Sequence, residues 1–362
     1  MLYHLLVPLS EQVSGLNIFR YITFRTAGAT VTAIFICLIL GPFFIRLLKR
    51  YQVSEKIREE GPSSHKAKEG TPTMGGIIIL SGIIIPTLLW ADLTNMYTLL
   101  VLLVTVWMGA LGFLDDYLKA IKNQPKGLVA RKKMVGQIVL GLIFSAGLFY
   151  LMPAETYDGT TSVPFFKNYV LVLGVFYAPF IVVVITGASN AVNLTDGLDG
   201  LAIGLCGLAF FTFAGIAYVS GRVDFSNYLQ IEYLPGSSEL AIYCGAAVGS
   251  ALGFLWFNSH PASVFMGDTG SLALGGALGG IAILLKKELL LVIVGGVFVM
   301  VALSVIIQVL SYRYRGGKRV FKMAPIHHHF ELCGWAEPKI VVRFWILGAL
   351  CALLTLATLK VR

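Results

Sequence analysis

Ten mostly apolar runs constrain this chain more than any other feature. They lie at roughly 23–46, 74–91, 97–115, 134–152, 169–187, 200–219, 239–257, 271–286, 288–311 and 341–360. A helix needs about 20 such residues to cross the hydrocarbon of a bilayer. The runs are continuous rather than alternating, so they read as helices and not as strands of a membrane barrel. Only 13% of residues are charged and 57% are hydrophobic, against about 25% charged in a soluble domain. The expected fold class is an all-α integral membrane protein: a single polytopic domain over 1–362, with ten spans and both termini on the periplasmic side. The run 271–286 is short and rich in glycine, and Lys286-Lys287-Glu288 is the only seam between it and the next.

A net charge of +9 suggests nucleic acid, but the distribution of charge argues for a membrane. Residues 46–68, 119–133 and 313–343 hold 20 of the 28 Lys and Arg. These segments follow the first, third and ninth spans, so they share one side, and the positive-inside rule makes that side the cytoplasm. Lys286 and Lys287 run against the rule but are outnumbered. Glu11, Asn17 and Arg20 precede the first long run, which does not fit a cleavable signal. Cys37, Cys206, Cys244, Cys333 and Cys351 are scattered, with no C-x-x-C pair, so neither a zinc site nor a disulfide framework is expected. Gly245, Gly249 and Gly253 mark one face of the seventh span, and Gly275, Gly276, Gly279 and Gly280 mark the eighth. Such spacing lets helices approach closely, either within the chain or across a homodimer face.

All the unusual polar motifs fall in loops on the basic side. The longest runs from Asn190 through Asn193, Asp196 and Asp199 to Gly200. On a helix, residues three apart are turned by about 60°, so neighbours in this series would share a face; the alternative is a polar turn between two spans. Asp115 and Asp116 close the third span, at the negative end of its helix dipole. They therefore call for a positive partner, either a divalent metal or lysines such as Lys119 and Lys122. Asp268 lies in Gly267-Asp268-Thr269-Gly270-Ser271 at the entry to the eighth span. There free N–H groups would face an anion, or Asp268 would simply cap the helix. Five carboxylates (Asp115, Asp116, Asp196, Asp199 and Asp268) on one membrane face suit Mg2+ shared with phosphate oxygens, and hence phosphoryl transfer. Lys68, Thr71 and Thr73 before the second span, and Arg131, Lys132 and Lys133 before the fourth, satisfy orientation and would also hold phosphates. His327, His328 and His329 would point about 100° apart on a helix, so they could not share one ligand there. In a loop, alternate ones could, and hydrogen bonding to phosphate or sugar oxygens fits them better than metal.

Together, Gly70 to Gly76, Asp115-Asp116, Asn190 to Gly200, Phe265 to Ser271 and Ala324 to His329 resemble the polyprenyl-phosphate N-acetylhexosamine-1-phosphate transferases. Within that superfamily they are most similar to the branch that makes lipid I, and the resemblance runs through Trp335 to Pro338 to the last span. It implies a bacterial inner-membrane enzyme with a cytoplasmic-face active-site cleft. UDP-MurNAc-pentapeptide and undecaprenyl phosphate would be its substrates, Mg2+ its cofactor and UMP a product, with no nucleic-acid partner. By resemblance, Asp268 is a Mg2+ ligand, with a covalent nucleophile as the alternative role. Asp115 and Asp116 deprotonate the lipid phosphate or steer the metal, Asp116 as a second ligand. Asp199 and Phe265 form a uracil pocket. Lys68, Thr73, Asn190, Asn193, Asp196, Gln308, His327, His328 and His329 are substrate contacts, and Lys133 binds phosphate. The pattern departs at Val301, where relatives carry Glu; full activity is expected regardless. One rival is a UDP-GlcNAc transferase, against which the triple histidine argues. The other is a cation-coupled transporter, which would place its acids at mid-depth.

Overall fold

The computed structural model describes residues 1–51, 68, 70–122, 124, 127–152, 157–166 and 169–360. Most of the basic loop counted over 46–68 lies outside these residues. In chain order the helices are α1 (Leu2–Leu9), α2 (Ile22–Arg50), α3 (Gly76–Trp90), α4 (Met96–Ala120), α5 (Ala130–Leu151), α6 (Tyr177–Thr195) and α7 (Leu201–Ser220). There follow α8 (Val223–Leu229), α9 (Leu240–Asn258), α10 (Gly267–Leu284), α11 (Glu288–Val294), α12 (Gly296–Tyr314), α13 (Ile326–Leu332) and α14 (Glu337–Thr358). Among the described residues, nine helices are long and apolar enough to cross a membrane, and the 15-residue α3 is a shorter apolar helix. Every apolar run of the sequence becomes helical, as an all-α membrane protein requires.

Two boundaries differ from the sequence reading. The run expected from 169 becomes helical only at Tyr177. Val170–Val172 instead forms β2, antiparallel to β1 (Thr160–Ser162), with Thr161 opposite Leu171. A Val-Leu-Val triplet suits a strand as well as a helix, because branching at Cβ favours extended backbone. The ninth run divides at Gly295 and Gly296 into α11 and α12.

The core is organised around α10, in which every residue from Thr269 to Leu284 is buried. Its glycines explain how neighbours come so near: Gly275 and Gly279 meet Ala188 and Ile185 of α6, and Gly276 and Gly280 meet Met108 and Val104 of α4. Gly245, Gly249 and Gly253 of α9 face Thr26, Thr30 and Cys37 of α2. These faces are therefore used inside the chain; a second copy would have to pair elsewhere.

The two ends of the bundle differ in chemistry. At one end, Arg25 donates from Nη1 and Nη2 to Glu239 at 2.9 and 2.5 Å, and Glu239 also accepts from the Asp92 N–H at 2.9 Å. The β1–β2 hairpin is tied down there, since Thr161 and Tyr177 donate to Glu288. Met1 and Lys360 lie at this end too: the Met1 ammonium donates to the Leu88 carbonyl at 2.7 Å, and Lys360 Nζ to that of Tyr228 at 2.7 Å. The carboxylate motifs occupy the opposite end. The C-terminus of α4, the turn between α6 and α7, and the N-terminus of α10 carry them there, each a short polar stretch next to apolar helix. The five cysteines are free.

Candidate active site

Asp116 sits in the last turns of α4, 4% exposed, and its carboxylate caps the start of α10. Oδ1 accepts from the Asp268 N–H at 3.0 Å, and Oδ2 accepts from the Thr269 N–H at 2.8 Å and the Thr269 hydroxyl at 2.6 Å. The anion expected at this helix N-terminus is thus supplied by the chain. Unpaired N–H groups and the dipole of α10 both favour it. Gly267 makes the approach possible. Its φ is +73°, and a Cβ there would lie 2.7 Å from Asp116 Oδ2 and 3.0 Å from Thr73 Oγ1. Asp116 therefore fixes the backbone that carries Asp268.

Asp268 and Asp115 share two ammonium groups. Lys119 Nζ lies 3.0 Å from Asp115 Oδ2 and 2.9 Å from Asp268 Oδ2. Lys133 Nζ, arriving from α5, lies 3.4 Å and 3.0 Å from the same atoms. On its other side, Asp268 Oδ1 accepts from Asn193 Nδ2 at 2.6 Å, and that amide also donates to Ser271 Oγ at 2.8 Å. Asp115 Oδ1 accepts from the Leu128 N–H at 2.5 Å. The positive partner demanded at the end of α4 is therefore Lys119, as expected, joined by Lys133. Lys122 instead lies 6.0 Å from the Tyr117 ring centroid. Asp115 is the deep member and the lysines and Asp268 the more accessible ones, with side-chain exposures of 3, 29, 16 and 14% for Asp115, Lys119, Lys133 and Asp268. The donor set is all oxygen, and two carboxylate oxygens converge on the ammonium positions. Such a set fits a hard divalent cation as well as it fits lysine.

A second polar cluster lies beside the first. Lys68 Nζ donates to Asp199 Oδ1 at 2.7 Å and to Glu337 Oε1 at 2.6 Å. Asp199 Oδ2 meets His260 Nδ1 at 3.0 Å and accepts from the Ala262 N–H at 3.1 Å. Among the described residues, Asp199, His260 and Glu337 form the one group of three potential metal-ligating side chains within 4.8 Å of one another, and the Lys68 ammonium already sits against two of them. His260 and Glu337 escaped the sequence reading. An acid beside Pro338 in the first helical turn was visible, but nothing local pointed it toward Asp199, 138 positions away.

The segment from His260 to Asp268 links the clusters. Beyond the contacts of His260 and Ala262 to Asp199, the Phe265 N–H donates to the Pro72 carbonyl at 2.8 Å. The N–H groups of Gly75 and Gly76 donate to the carbonyls of Phe265 and Met266, each at 2.8 Å. This zipper sets Thr73 and Phe265 between the two carboxylate groups.

Other expectations change. α6 ends at Thr195, so Asn190 and Asn193 lie on its final turns, whereas Asp196 and Asp199 belong to the turn that follows. The shared helical face stops at Asn193. The five acids do not form one cage: Asp115, Asp116 and Asp268 gather at α10, Asp199 pairs with Lys68, and Asp196 stands at the end of α6. Asn190 donates to Gln137 Oε1 at 3.0 Å and to the Thr186 carbonyl at 2.8 Å. Gln308 is engaged with backbone: it accepts from the N–H groups of Val320 and Phe321 and donates to the Phe321 carbonyl at 3.0 Å. The histidines are helical, on α13; the rings of His327 and His328 meet edge to face, with centroids 4.3 Å apart, and His329 lies edge to face with Phe321 instead. His327 packs over Gly197, where an added side chain would collide with its Nε2. His328 Nδ1 lies 2.6 Å from Glu331 Oε2, and His329 Nδ1 accepts from the Lys322 N–H at 3.1 Å. Val301 is fully buried in the core.

Comparison with known proteins accords with this arrangement. The family described as Glycosyl transferase family 4 matches residues 98–286, and the Phospho-N-acetylmuramoyl-pentapeptide-transferase signature 1 matches residues 68–80. The chain is 56% identical over 362 residues to the phospho-N-acetylmuramoyl-pentapeptide-transferases of Pelobacter propionicus and Citrifermentans bemidjiense, covering 100% of each chain. It is 52% identical over 363 residues to the enzyme of that name from Thermodesulfovibrio yellowstonii, again covering 100% of both. A membrane bundle with a carboxylate–lysine centre at one end, matched over its whole length, thus belongs to the phospho-N-acetylmuramoyl-pentapeptide-transferase family of transferases.

Proposed function

We propose that the protein transfers phospho-MurNAc-pentapeptide from UDP-MurNAc-pentapeptide to undecaprenyl phosphate, giving lipid I and UMP, at the cytoplasmic face of a bacterial inner membrane. The observation that carries the reading is the pair Asp115 and Asp268 holding Lys119 and Lys133 between them. It lies at the end of the bundle that also carries Lys133 and the histidines of α13, and that position supports access by a soluble nucleotide and a lipid head group together.

In the reaction, an oxygen of the lipid phosphate forms a bond to the sugar-bearing phosphorus of the donor. The bond from that phosphorus to the bridging oxygen breaks, and UMP leaves with the electron pair. Two anionic reactants repel each other strongly in a low-dielectric site. Lys119 and Lys133 offset that repulsion, because ammoniums held between carboxylates can turn their hydrogens to incoming phosphate oxygens. Asn193 orients Asp268, and Asp116 holds the turn on which Asp268 stands. Asp268 would hold Mg2+ with Asp115, in place of the ammoniums and freeing them for phosphate, rather than with Asp116 as the sequence suggested, since both Asp116 oxygens are engaged at the start of α10; the ion would supply positive charge that stabilises the departing UMP. Lys68, Thr73, Asp199 and Phe265 receive the nucleotide, and His327 closes over the turn beside them.

The test is UMP release by purified protein. Release should require undecaprenyl phosphate and UDP-MurNAc-pentapeptide together, and should fall at least about 100-fold in Asp268→Asn and Asp115→Asn, the scale of losing one charged group from a preorganised site. Equal turnover of UDP-GlcNAc would move the protein to another branch of the superfamily, and absence of UMP under all conditions would refute the reading.

A further inference from the structure

We propose that Glu337 is a positioning residue for the nucleotide end of the donor, setting Lys68 and Asp199 from the first turn of α14. The inference rests on the reading that Lys68 and Asp199 meet the nucleotide. Glu337 is 8% exposed, and one of its oxygens does two things at once: Oε1 accepts from Lys68 Nζ at 2.6 Å and from the backbone N–H of Asp199 at 2.8 Å. It thereby orients both a side chain and the turn carrying its partner. Its other oxygen lies 3.6 Å from His260 Nδ1.

The exposures show which group faces a ligand. The Lys68 side chain is 15% exposed, whereas those of Asp199 and Glu337 are 2% and 7%. The carboxylates therefore form the floor and the ammonium stands in front. An ammonium has three hydrogens; Asp199 and Glu337 take two, which leaves one for a ligand oxygen. Asp199 alone cannot fix that direction, since its Oδ2 is committed to His260 and Ala262. A four-carbon side chain held by one acceptor swings, and held by two it does not. Glu337 supplies the second from a helix far away in sequence, so span ten becomes part of the donor site without touching the reacting phosphates.

A purely structural acid would, on replacement, lower the amount of folded enzyme or its turnover number. A positioning acid of this kind raises the KM for the donor. The experiment is steady-state UMP release by the full-length protein in detergent, varying each substrate at saturation of the other. Glu337→Gln keeps shape and a neutral acceptor for the Asp199 N–H but removes the charge that holds Lys68. Donor KM should rise about 10-fold, with kcat within about threefold and the KM for undecaprenyl phosphate within about twofold. Glu337→Ala, which loses both hydrogen bonds, should raise donor KM further, toward about 100-fold. If Glu337→Ala does not fold, the isosteric Gln variant decides. An unchanged donor KM in Glu337→Gln, or a fall confined to kcat, overturns the assignment. Wild-type protein that releases no UMP refutes the proposed function instead, so the two failures are distinguishable.

Discussion

Replacing Asp116 by asparagine isolates the role of the α4–α10 junction. The carboxylate accepts three hydrogen bonds, one at Oδ1 and two at Oδ2. The best placement of an amide keeps its oxygen at the Oδ2 position, retaining both bonds from Thr269, and sets its NH2 against the Asp268 N–H. One charge-assisted bond of about 1.5–3 kcal/mol is then lost and two donors are opposed. Removing the charge from the N-terminus of α10 costs about another 0.3–1 kcal/mol. The total, about 2–4 kcal/mol, falls on the residue that carries Asp268. Expressed wholly as misplacement of that side chain, it lowers kcat by about 30- to 1,000-fold, at 1.36 kcal/mol per factor of ten. Thr269→Val removes only the hydroxyl bond and should cost less, about 5- to 30-fold. UMP release at saturating substrates reads both, with a thermal-shift measurement to confirm that each variant is folded. Asp116→Asn with more than half the wild-type rate would refute the reasoning. A Thr269→Val enzyme at wild-type rate beside an inactive Asp116→Asn would show that Asp116 acts on substrate directly rather than through α10.

Gly267→Ala should reduce turnover at least about tenfold. Its φ of +73° costs a side chain about 1–2 kcal/mol, and the new Cβ would sit 2.7 Å from Asp116 Oδ2; UMP release checks it, and unchanged turnover would mean that the junction is looser than it looks. Chelation by EDTA should abolish UMP release and added Mg2+ should restore it; activity that persists in EDTA would leave Lys119 and Lys133 as the only cations of the centre. Val301→Glu should not raise turnover and should lower the melting temperature, because an unpaired acid in that buried position costs several kcal/mol; a turnover gain of orders of magnitude would show that the position is catalytic.

Much of this is legible in the residues alone. Continuous apolar runs fix helices, and the clustering of Lys and Arg fixes which loops lie together, so the gathering of Asp115, Asp116 and Asp268 follows from counting spans. Two kinds of information were not local. Val170 to Val172 reads as helix or strand until β1 is there to pair with it. The partners of Asp199 are similarly hidden: Lys68 and His260 come from two separate connections and Glu337 from the first turn of α14, and no spacing rule joins them. The three-residue rhythm from Asn190 to Asp199 misleads for a physical reason. The helix ends at Thr195, and Gly200, at φ +78°, turns the chain into α7. Gln308 shows the same limit: its amide is taken up by the backbone at Val320 and Phe321, and no sequence pattern announces such a neighbour.

The stretch from His260 to Asp268 acts as a gauge. One short run of backbone grips Asp199 at its beginning, is laced to Pro72 and Gly75 in the middle, and is clamped by Asp116 at its end. If Asp199 meets the base and Asp268 the pyrophosphate, as proposed, a bound donor would be measured against that fixed interval. A nucleotide one phosphate shorter would fill either end of that interval but not both.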